Sequence, residues 1–276
     1  MEVDQYRPGH IIFTDYRSLK TTDGTSVRLI AGKTQVFGYK EGVRDRAVFN
    51  DIYGFTQIAS NRVVVADRYN HCLRLIDRKT DSTSVLSGQC KSAGYHDGRP
   101  GRFFSPWSVV RDRKDTKLLL VTDHENRAVR AVNAQSGEVS TFVKSQEKLM
   151  YMRCLTQDSK GDVYITAWNA ILKITYQSRK ITHFAGAQSG AGGYIDSTLL
   201  GSMFFTPFDL TFIGPETLLV ADTDNNKLRL LHMRTNKVTP VDLRSGNAEK
   251  IYSLLITHNS LFTGHKTGIL RYQCEC

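Results

Sequence analysis

Residues 218–231 read LLVADTDNNKLRLL, and this stretch is the clearest indication of the fold. It consists of an apolar strand that ends in Ala-Asp, a short polar turn with asparagine, and a second strand with an arginine. Two further segments repeat it, namely VVVADRYNHCLRLI at 63–76 and LLLVTDHENRAVRAV at 118–132. Short apolar runs that flank a compact polar turn predict β-hairpins.

Weaker copies of this hairpin lie at 11–20, 163–174 and 260–271. The residues that end the first strand of the six copies are Asp15, Asp67, Asp123, Ala167, Asp222 and Gly264, at intervals of 52, 56, 44, 55 and 42 residues. These intervals exceed the roughly 20–35 residues of a solenoid turn and fit units of four short strands. The chain is therefore predicted to be all-β, a six-bladed β-propeller with about four antiparallel strands per blade.

The blades are expected around 1–32, 53–88, 104–143, 151–186, 205–243 and 250–276, in one monomeric domain. Closure has two alternatives. Residues 2–6 either pair into the last blade or form the inner strand of the first. In the second case the last blade lacks its outer strand, which leaves an edge that needs protection, and the chain is then a fragment of a longer protein.

The hairpin turns carry residues with a predicted structural role, which are Asp15, Asp67, Asn70, Asp123, Asn126, Asp222 and Asn225. We expect each aspartate to accept backbone N–H bonds in an Asx-type turn and each asparagine to adopt the left-handed conformation. The segments between blades close on Phe49, Phe104 and Phe205, which are expected to fill gaps between neighbouring blades.

Composition sets few limits on function. Hydrophobic residues make up 40% and charged residues 23%, as in ordinary globular proteins. The formal net charge of +10 favours polyanions, although no polybasic run occurs. No apolar run is long enough for a membrane span, and the N-terminus does not read as a secretion signal. The expected location is cytoplasmic by default, or extracellular if the chain is a piece of a secreted protein.

The five cysteines predict no metal site. An odd number without a Cys-x-x-Cys pair argues against a full disulfide framework and against structural zinc. Cys274 and Cys276 are expected to lie on an exposed tail, because two thiols alone do not close a zinc site. No cofactor is expected.

The three strong hairpins, together with the Gly-Tyr-x-Asp-Gly linker that ends in Phe and Pro, resemble NHL repeats. The resemblance covers nearly the whole chain, strongly in three blades, and implies the propeller fold while it leaves the function open. The first unit, IIFTDYRSLKTTDGTSVRLIAG, is also similar to six-bladed propellers of the lipoprotein-receptor type, which are extracellular.

Catalysis is the least favoured interpretation. NHL-like propellers include a zinc lyase, and that resemblance would require histidines at the starts of inner strands. The corresponding segments YGFTQIA, FSPWSVV, YMRCLT, FTPFDLT and IYSLLIT contain none. A calcium-dependent propeller hydrolase would need several carboxylates in this zone, where only Asp209 is clear. Cys154 is expected to be a small buried hydrophobe, so no catalytic or metal-binding residue is predicted.

Two binding functions remain. The first is recognition of a protein, as yet unknown, through a rim or channel-mouth face, and it leads by elimination. The second is binding of single-stranded RNA or another polyanion, which the resemblance to tripartite-motif NHL proteins implies. Aromatic rings beside cations at the starts of inner strands suit RNA, because bases stack on such rings. The candidate binding residues are Tyr53, Phe55, Arg102, Trp107, Lys148, Tyr151, Arg153 and Asp209.

Overall fold

The computed structural model describes residues 1–241, 249–257, 260–266 and 268–273. Strands account for 54% of the described residues and helix for 3%, and the predicted six-bladed β-propeller is confirmed. The chain divides into two compact units, Met1–Met150 and Tyr151–Cys276. Each unit holds three blades, and the single-domain organisation stays a prediction. Within the described residues no helix is long and apolar enough to cross a membrane.

The first unit holds blades one to three. Blade one consists of β1 (Glu2–Val3), β2 (Ile11–Thr14), β3 (Ser18–Thr22) and β4 (Val27–Gly32). Blade two consists of β5 (Gly42–Val43), β6 (Ile52–Ala59), β7 (Arg62–Asp67), β8 (Cys72–Asp77) and β9 (Ser82–Ser87). Blade three consists of β10 (Pro106–Arg111), β11 (Leu118–Asp123), β12 (Ala128–Asn133) and β13 (Val139–Lys144). From the inner strand outward, each blade is an antiparallel meander, which β5 extends at the outer edge of blade two.

The second unit holds blades four to six. Blade four consists of β14 (Met152–Gln157), β15 (Val163–Ala167), β16 (Ala170–Ile174) and β17 (Ile181–Ala185). Blade five consists of β18 (Pro207–Gly214), β19 (Thr217–Asp222), β20 (Lys227–His232) and β21 (Lys237–Val241). Blade six has β22 (Ile251–Thr257), β23 (Ser260–His265) and β24 (Ile269–Gln273) among the described residues. Cys274 and Cys276 lie outside them.

The N-terminal segment belongs to blade one. Glu2 lies opposite Ile12 in the β1–β2 pair, which agrees with the second closure alternative. The buried Asp4 carboxylate then accepts a hydrogen bond of 2.5 Å from Arg78 Nη1 of blade two, and both side chains are almost fully buried. Gln57 Nε2 donates to the Val3 carbonyl at 2.7 Å. The first inner strand is thus fixed against its neighbouring blade.

Strand β7 shows why the strong hairpins begin with continuous apolar runs. Val63 and Val65 pack into the core shared with blade one, whereas Val64 packs into the core shared with blade three. All three side chains are fully buried. A strand covered on both faces gains from apolar residues at every position, so alternation between polar and apolar residues is lost.

A buried network of aspartate, asparagine and arginine recurs in blades two, three and five. In blade two, Asp67 Oδ2 accepts hydrogen bonds from Asn70 Nδ2 at 2.8 Å and Arg74 Nη1 at 3.1 Å. The Arg74 guanidinium lies between the rings of Tyr39 and Phe49. The other two networks have the same arrangement and consist of Asp123, Asn126 and Arg130 with Tyr95 and Phe103, and of Asp222, Asn225 and Arg229 with Tyr194 and Phe204.

These networks correct the predicted turn chemistry. Asp67 Oδ1 accepts its backbone hydrogen bond from Asn50 N, in the incoming linker, and not from its own turn. The left-handed residue is the one after the asparagine, namely His71, Arg127 or Asn226. The asparagine amide instead donates to a linker carbonyl, as Asn70 Nδ2 does to Gly38 O at 2.8 Å. Asp15 behaves as predicted, because its Oδ1 accepts from Ser18 N at 2.8 Å.

The recurring phenylalanines are also reassigned. The residues that fill the core are Phe49, Phe103 and Phe204, each fully buried under its arginine. Phe104 and Phe205 are 41% and 45% exposed, so the prediction that they fill gaps between blades was wrong by one position. The segments that lead into blades three and five each contain two consecutive phenylalanines. Only the folded structure shows which of the two is buried.

One disulfide joins Cys72, at the start of β8, to Cys90, just after β9. The bond fixes the beginning of the linker against the hairpin turn, where Lys91 N also donates to Asn70 O at 2.7 Å. Cysteine number and spacing gave no indication of this pair. Its partners become neighbours only because β8 and β9 are adjacent in the blade.

Candidate binding site

Five inner strands begin with the same local irregularity. In β6, β10, β14, β18 and β22, the register shifts after the first residue paired with the second strand. Bulges of this kind change the direction of side chains at the edge of a sheet. The residues that follow the first pair are Tyr53, Trp107, Arg153, Phe208 and Tyr252. Four aromatic residues and one arginine thus occupy an equivalent position.

In the first unit, this position contributes to a cluster of Tyr16, Tyr53, Arg68, Trp107 and His124, which we call the aromatic–arginine cluster. The rings of Tyr53 and Trp107 stack with centroids 4.7 Å apart and an interplanar angle of 16°. Tyr16 meets Tyr53 edge-on at 5.0 Å, and His124 lies 5.1 Å from Trp107. The cluster joins inner strands to the hairpin turns of all three blades.

Arg68 lies over the stack and is itself held by a carboxylate. Its guanidinium carbon is 3.9 Å from the Trp107 ring centroid, and Arg68 Nη1 is 3.2 Å from Asp51 Oδ2. Burial raises the pKa of the Asp51 carboxyl, and the charges of Arg68 and Arg17 oppose that rise. Burial also raises the pKa of the Tyr53 phenol, so this group is neutral at physiological pH.

Exposed aromatics surround the cluster. Tyr69, which follows Arg68, is 48% exposed and lies 4.5 Å from its guanidinium. Phe104 is 41% exposed and contacts His71 edge-on. Phe37 is 58% exposed and lies under Arg17. A buried, preorganised stack with aromatic and arginine side chains at its edge is the composition typical of protein interfaces.

Gly54 allows the two inner strands of the cluster to approach each other. A Cβ atom at this position would lie 2.5 Å from both Ser108 Cα and Trp107 O. Such a contact is far inside van der Waals distance, and its partners are backbone atoms that cannot rotate away. The Tyr53–Trp107 stack therefore depends on a residue without a side chain next to it.

The second unit carries separate aromatic groups. Tyr151 is 52% exposed and Trp168 is 48% exposed, with centroids 5.5 Å apart in an edge-to-face pair. Arg153 lies 5.5 Å from the Phe208 ring, and Phe208 meets Tyr252 edge-on at 5.3 Å. Both predicted residues, Tyr151 and Arg153, thus lie beside aromatic rings.

Asp209 has a structural contact, and its role as a binding residue stays a prediction. Its Oδ2 accepts a hydrogen bond from Leu254 N at 2.8 Å and so connects β18 with β22. Burial raises the pKa of the Asp209 carboxyl. Burial, followed by the Asp209 charge, raises the pKa of the Cys154 thiol well above its usual value. Cys154 is thus a neutral thiol at physiological pH, without the thiolate that nucleophilic catalysis requires.

Three other predicted binding residues lie apart from the contacts of the cluster. Phe55 is 7% exposed and packs in the core between blades one and two, where little of its ring is open to a ligand. Arg102 is exposed on the linker before blade three, where its Nε donates to Gln89 Oε1 at 3.1 Å. Lys148 is exposed near the end of the first unit, and its backbone N donates to Ser145 Oγ.

Three residues of the cluster were not predicted from the sequence, namely Tyr16, Arg68 and His124, which lie in or beside hairpin turns. Phe208 and Tyr252 were not predicted either, although alignment of the inner strands on the residue after the first pair would have revealed both. Across the described parts of the chain, no group of three or more His, Cys, Asp or Glu side chains has the geometry to hold a metal ion.

Comparison with known proteins supports the propeller fold but does not assign the chain to a family. No family model matches the chain. The curated protein SUPPRESSOR OF QUENCHING 1, chloroplastic, from Arabidopsis thaliana is 21% identical over an alignment that includes 79% of this chain. The chain spans only 27% of that relative's length.

Solved structures give a closer match in shape than in sequence. A chain of a nidogen/laminin complex has a TM-score of 0.69 at 10% identity, and the alignment covers 96% of this chain and 89% of that one. A streptogramin B lyase has a TM-score of 0.62 at 10% identity, with coverage of 95% and 89%. Virginiamycin B lyase from Staphylococcus aureus has a TM-score of 0.61 at 14% identity, with coverage of 95% and 75%. The chain is similar in fold to propellers that have different functions.

Proposed function

We propose that this chain is a non-catalytic binding module, built from NHL-type repeats, that recognises a protein through the aromatic–arginine cluster and its exposed edge. The observation that carries the proposal is the combination of a buried stack with exposed rings beside it. The Tyr53–Trp107 stack is fixed by Arg68, whereas Tyr69 and Phe104 present about half of their surface to solvent. Rigid aromatic anchors of this type supply much of the energy of protein association.

The chemistry of the described residues supports a binding role over catalysis. The cluster contains aromatic and cationic side chains but no serine or cysteine beside a base, which nucleophilic catalysis requires. The Cys154 thiol has a raised pKa and faces a carboxylate. Among the solved structures of similar fold, one comes from a protein–protein complex and two are lyases, so the fold itself does not decide the function.

RNA is the second candidate, favoured by the formal net charge of +10. The geometry of the cluster supports it less well. A base needs an open ring face, yet Trp107 is 6% exposed and lies between Tyr53 and Arg68. The faces of Phe37 and Tyr69 are approached by Arg17 and Arg68. A ring face that a guanidinium group covers is closed to a stacking base, which leaves fewer stacking platforms in this region.

The Cys72–Cys90 disulfide supports the extracellular alternative for location over the cytoplasmic default. Such bonds persist in oxidising compartments and are rare in the cytosol. Cys72 is fully buried at the start of a central strand, as befits a structural bond. We therefore expect the partner to be a protein of an oxidising compartment.

Affinity capture with matched variants tests the proposal. Immobilised wild-type chain and Tyr69→Ser/Phe104→Ser are compared with Val27→Ser, which removes an apolar side chain that is 61% exposed on blade one. We expect a protein that wild type and Val27→Ser retain and that the double variant loses at least tenfold, by quantitative mass spectrometry. Equal retention by all three chains would contradict the proposal. Loss of a bound RNA, instead of a protein, would favour the second candidate.

A further inference from the structure

Arg17 lies beside the aromatic–arginine cluster and, unlike Arg68 of that cluster, forms no ion pair with a carboxylate of the described residues. It follows β2 in the hairpin turn of blade one, and its guanidinium carbon lies 3.3 Å from the centroid of the Phe37 ring. Within the part of the chain that the structure describes, its guanidinium has no hydrogen bond or ion pair, and Nε is buried without a partner. The stack on Phe37 holds this half-buried cation in place.

The surroundings of Arg17 contain more positive than negative charge. Asp51 is the carboxylate that feels the Arg17 charge, yet its oxygen is bound to Arg68 Nη1 at 3.2 Å. The Asp51 and Arg68 side chains are only 12% and 13% exposed, so this pair is largely shielded from solvent. One carboxylate therefore serves two guanidinium groups, and Arg17 retains the capacity to bind a further anion.

The neighbouring rings favour a carboxylate over the phosphates of a single-stranded nucleic acid. Strand-tolerant binding of RNA combines phosphate contacts with bases that stack on open ring faces. Here the faces of Phe37, Tyr69 and Trp107 are approached by guanidinium groups, and Tyr53 stacks on Trp107. A protein segment needs no open ring faces, because its carboxylate binds the guanidinium and its apolar side chains pack on ring edges.

We propose that Arg17 is a recognition point for an aspartate or glutamate side chain, and that the partner of this surface presents an acidic segment. The proposal rests on the proposed function and specifies the chemistry of its partner. The planar guanidinium can donate two parallel N–H···O bonds to one carboxylate, a geometry that lysine cannot reproduce. The exposed edges of Tyr16 and Phe37 flank this position and would contact apolar side chains of the same segment.

Fluorescence anisotropy with defined probes tests this inference on the full chain. The probes are a labelled peptide of alternating glutamate and tyrosine, the same peptide with glutamine, and labelled oligo(U). The variants are Arg17→Gln, Arg17→Lys and the control Arg28→Gln, which removes one exposed positive charge from β4 of the same blade. Thermal melts establish that each variant is folded.

We expect Arg17→Gln to weaken binding of the glutamate peptide by about tenfold or more, as for loss of a charge-assisted hydrogen bond. Arg28→Gln should change the affinity for the glutamate peptide by less than about twofold, as expected for one remote surface charge. The effect of Arg17→Lys should lie between those of Arg17→Gln and Arg28→Gln. Equal weakening by Arg17→Gln and Arg28→Gln would overturn the inference, because it would show non-specific attraction. Tighter, Arg17-dependent binding of oligo(U), or no saturable binding of the glutamate peptide to wild type, would also overturn it.

Failure of this inference is distinguishable from failure of the proposed function. If Tyr69→Ser/Phe104→Ser abolishes capture of a protein partner while Arg17→Gln leaves that capture unchanged, the surface binds protein and Arg17 does not recognise its carboxylate. If neither variant changes capture, the proposed function itself is wrong.

Discussion

The buried ion pair of blade two predicts an unusual pattern of stability. Asp67 and Arg74 are both fully buried and joined by a hydrogen bond of 3.1 Å. Apart from this carboxylate, Arg74 has a hydrogen bond to the Lys40 carbonyl and contacts with two rings. Asp67→Ala thus leaves a buried charge without a counter-ion, and we expect a loss of about 3–5 kcal/mol in the free energy of unfolding.

Replacement of both Asp67 and Arg74 should lower the free energy of unfolding by less than replacement of Asp67 alone. In blade four, the equivalent residues are Ala167 and Leu172, because Ile165 pairs with Leu172 as Val65 pairs with Arg74. Asp67→Ala/Arg74→Leu reproduces this apolar arrangement. In the double variant the Lys40 carbonyl still accepts a hydrogen bond from Val48 N. The main loss is then the acceptor for Asn50 N, which should lower the free energy of unfolding by about 1–3 kcal/mol.

Urea denaturation of the wild type, both single variants and the double variant measures this thermodynamic cycle. Burial raises the pKa of Asp67 to about 6, so the measurement belongs at pH 8, where the carboxylate is ionised. Asp123→Ala is the matched comparison, because Arg130 of that variant still has an ion pair with Asp97. Asp123→Ala should therefore lower the free energy of unfolding by less than Asp67→Ala does. If the loss of stability in the double variant equalled the sum of the losses in the two single variants, Asp67 and Arg74 would not be energetically coupled, contrary to this prediction.

Three other features of the fold can be tested by changes in stability. Gly54→Ala should destabilise the chain by about 2–3 kcal/mol and shift the tryptophan emission, whereas Gly214→Ala, with open space around its Cβ, should change the free energy of unfolding by less than about 0.5 kcal/mol. The Cys72–Cys90 disulfide closes a loop with a sequence separation of 18, and its reduction should lower the free energy of unfolding by about 3 kcal/mol. An unchanged urea midpoint after reduction would contradict this prediction. Burial raises the pKa of Asp4, but hydrogen bonds from its buried arginine partner and a threonine outweigh it and hold the pKa below 3.8. The ion pair therefore stabilises the fold above about pH 3.8 and is lost as the pH falls further, so the difference in stability between wild type and Asp4→Asn should shrink at low pH.

The fold could be predicted from the sequence because each blade repeats one hairpin. The Ala-Asp or Thr-Asp end of β7, β11 and β19 is a strong local signal, since each aspartate binds an arginine seven residues later in the neighbouring strand. The number of copies then predicted the number of blades, and the spacing between them predicted about four strands per blade. Blade four lacks the ion pair and was still recognisable, because its strands keep the same order and length.

The candidate site could be predicted only in part, because its contacts join residues far apart in the chain. Trp107 and Tyr53 start inner strands and were identified from their position, yet their stack depends on Gly54, which carries no chemical signal. Arg68 reads as an ordinary turn residue until the fold places it over Trp107. The distinction between buried Phe103 and exposed Phe104 requires the register of the linker, which sequence alone leaves open by one residue.

Hydrogen–deuterium exchange of the chain with and without its captured protein partner tests whether the aromatic–arginine cluster is the binding surface. We expect added protection in peptides of the first unit that contain Arg17, Tyr69 and Phe104, with little change at the opposite ends of the same blades, around residues 23–26 and 113–116. Protection confined to those opposite ends, or to the second unit, would contradict the claim that the aromatic–arginine cluster is the binding surface.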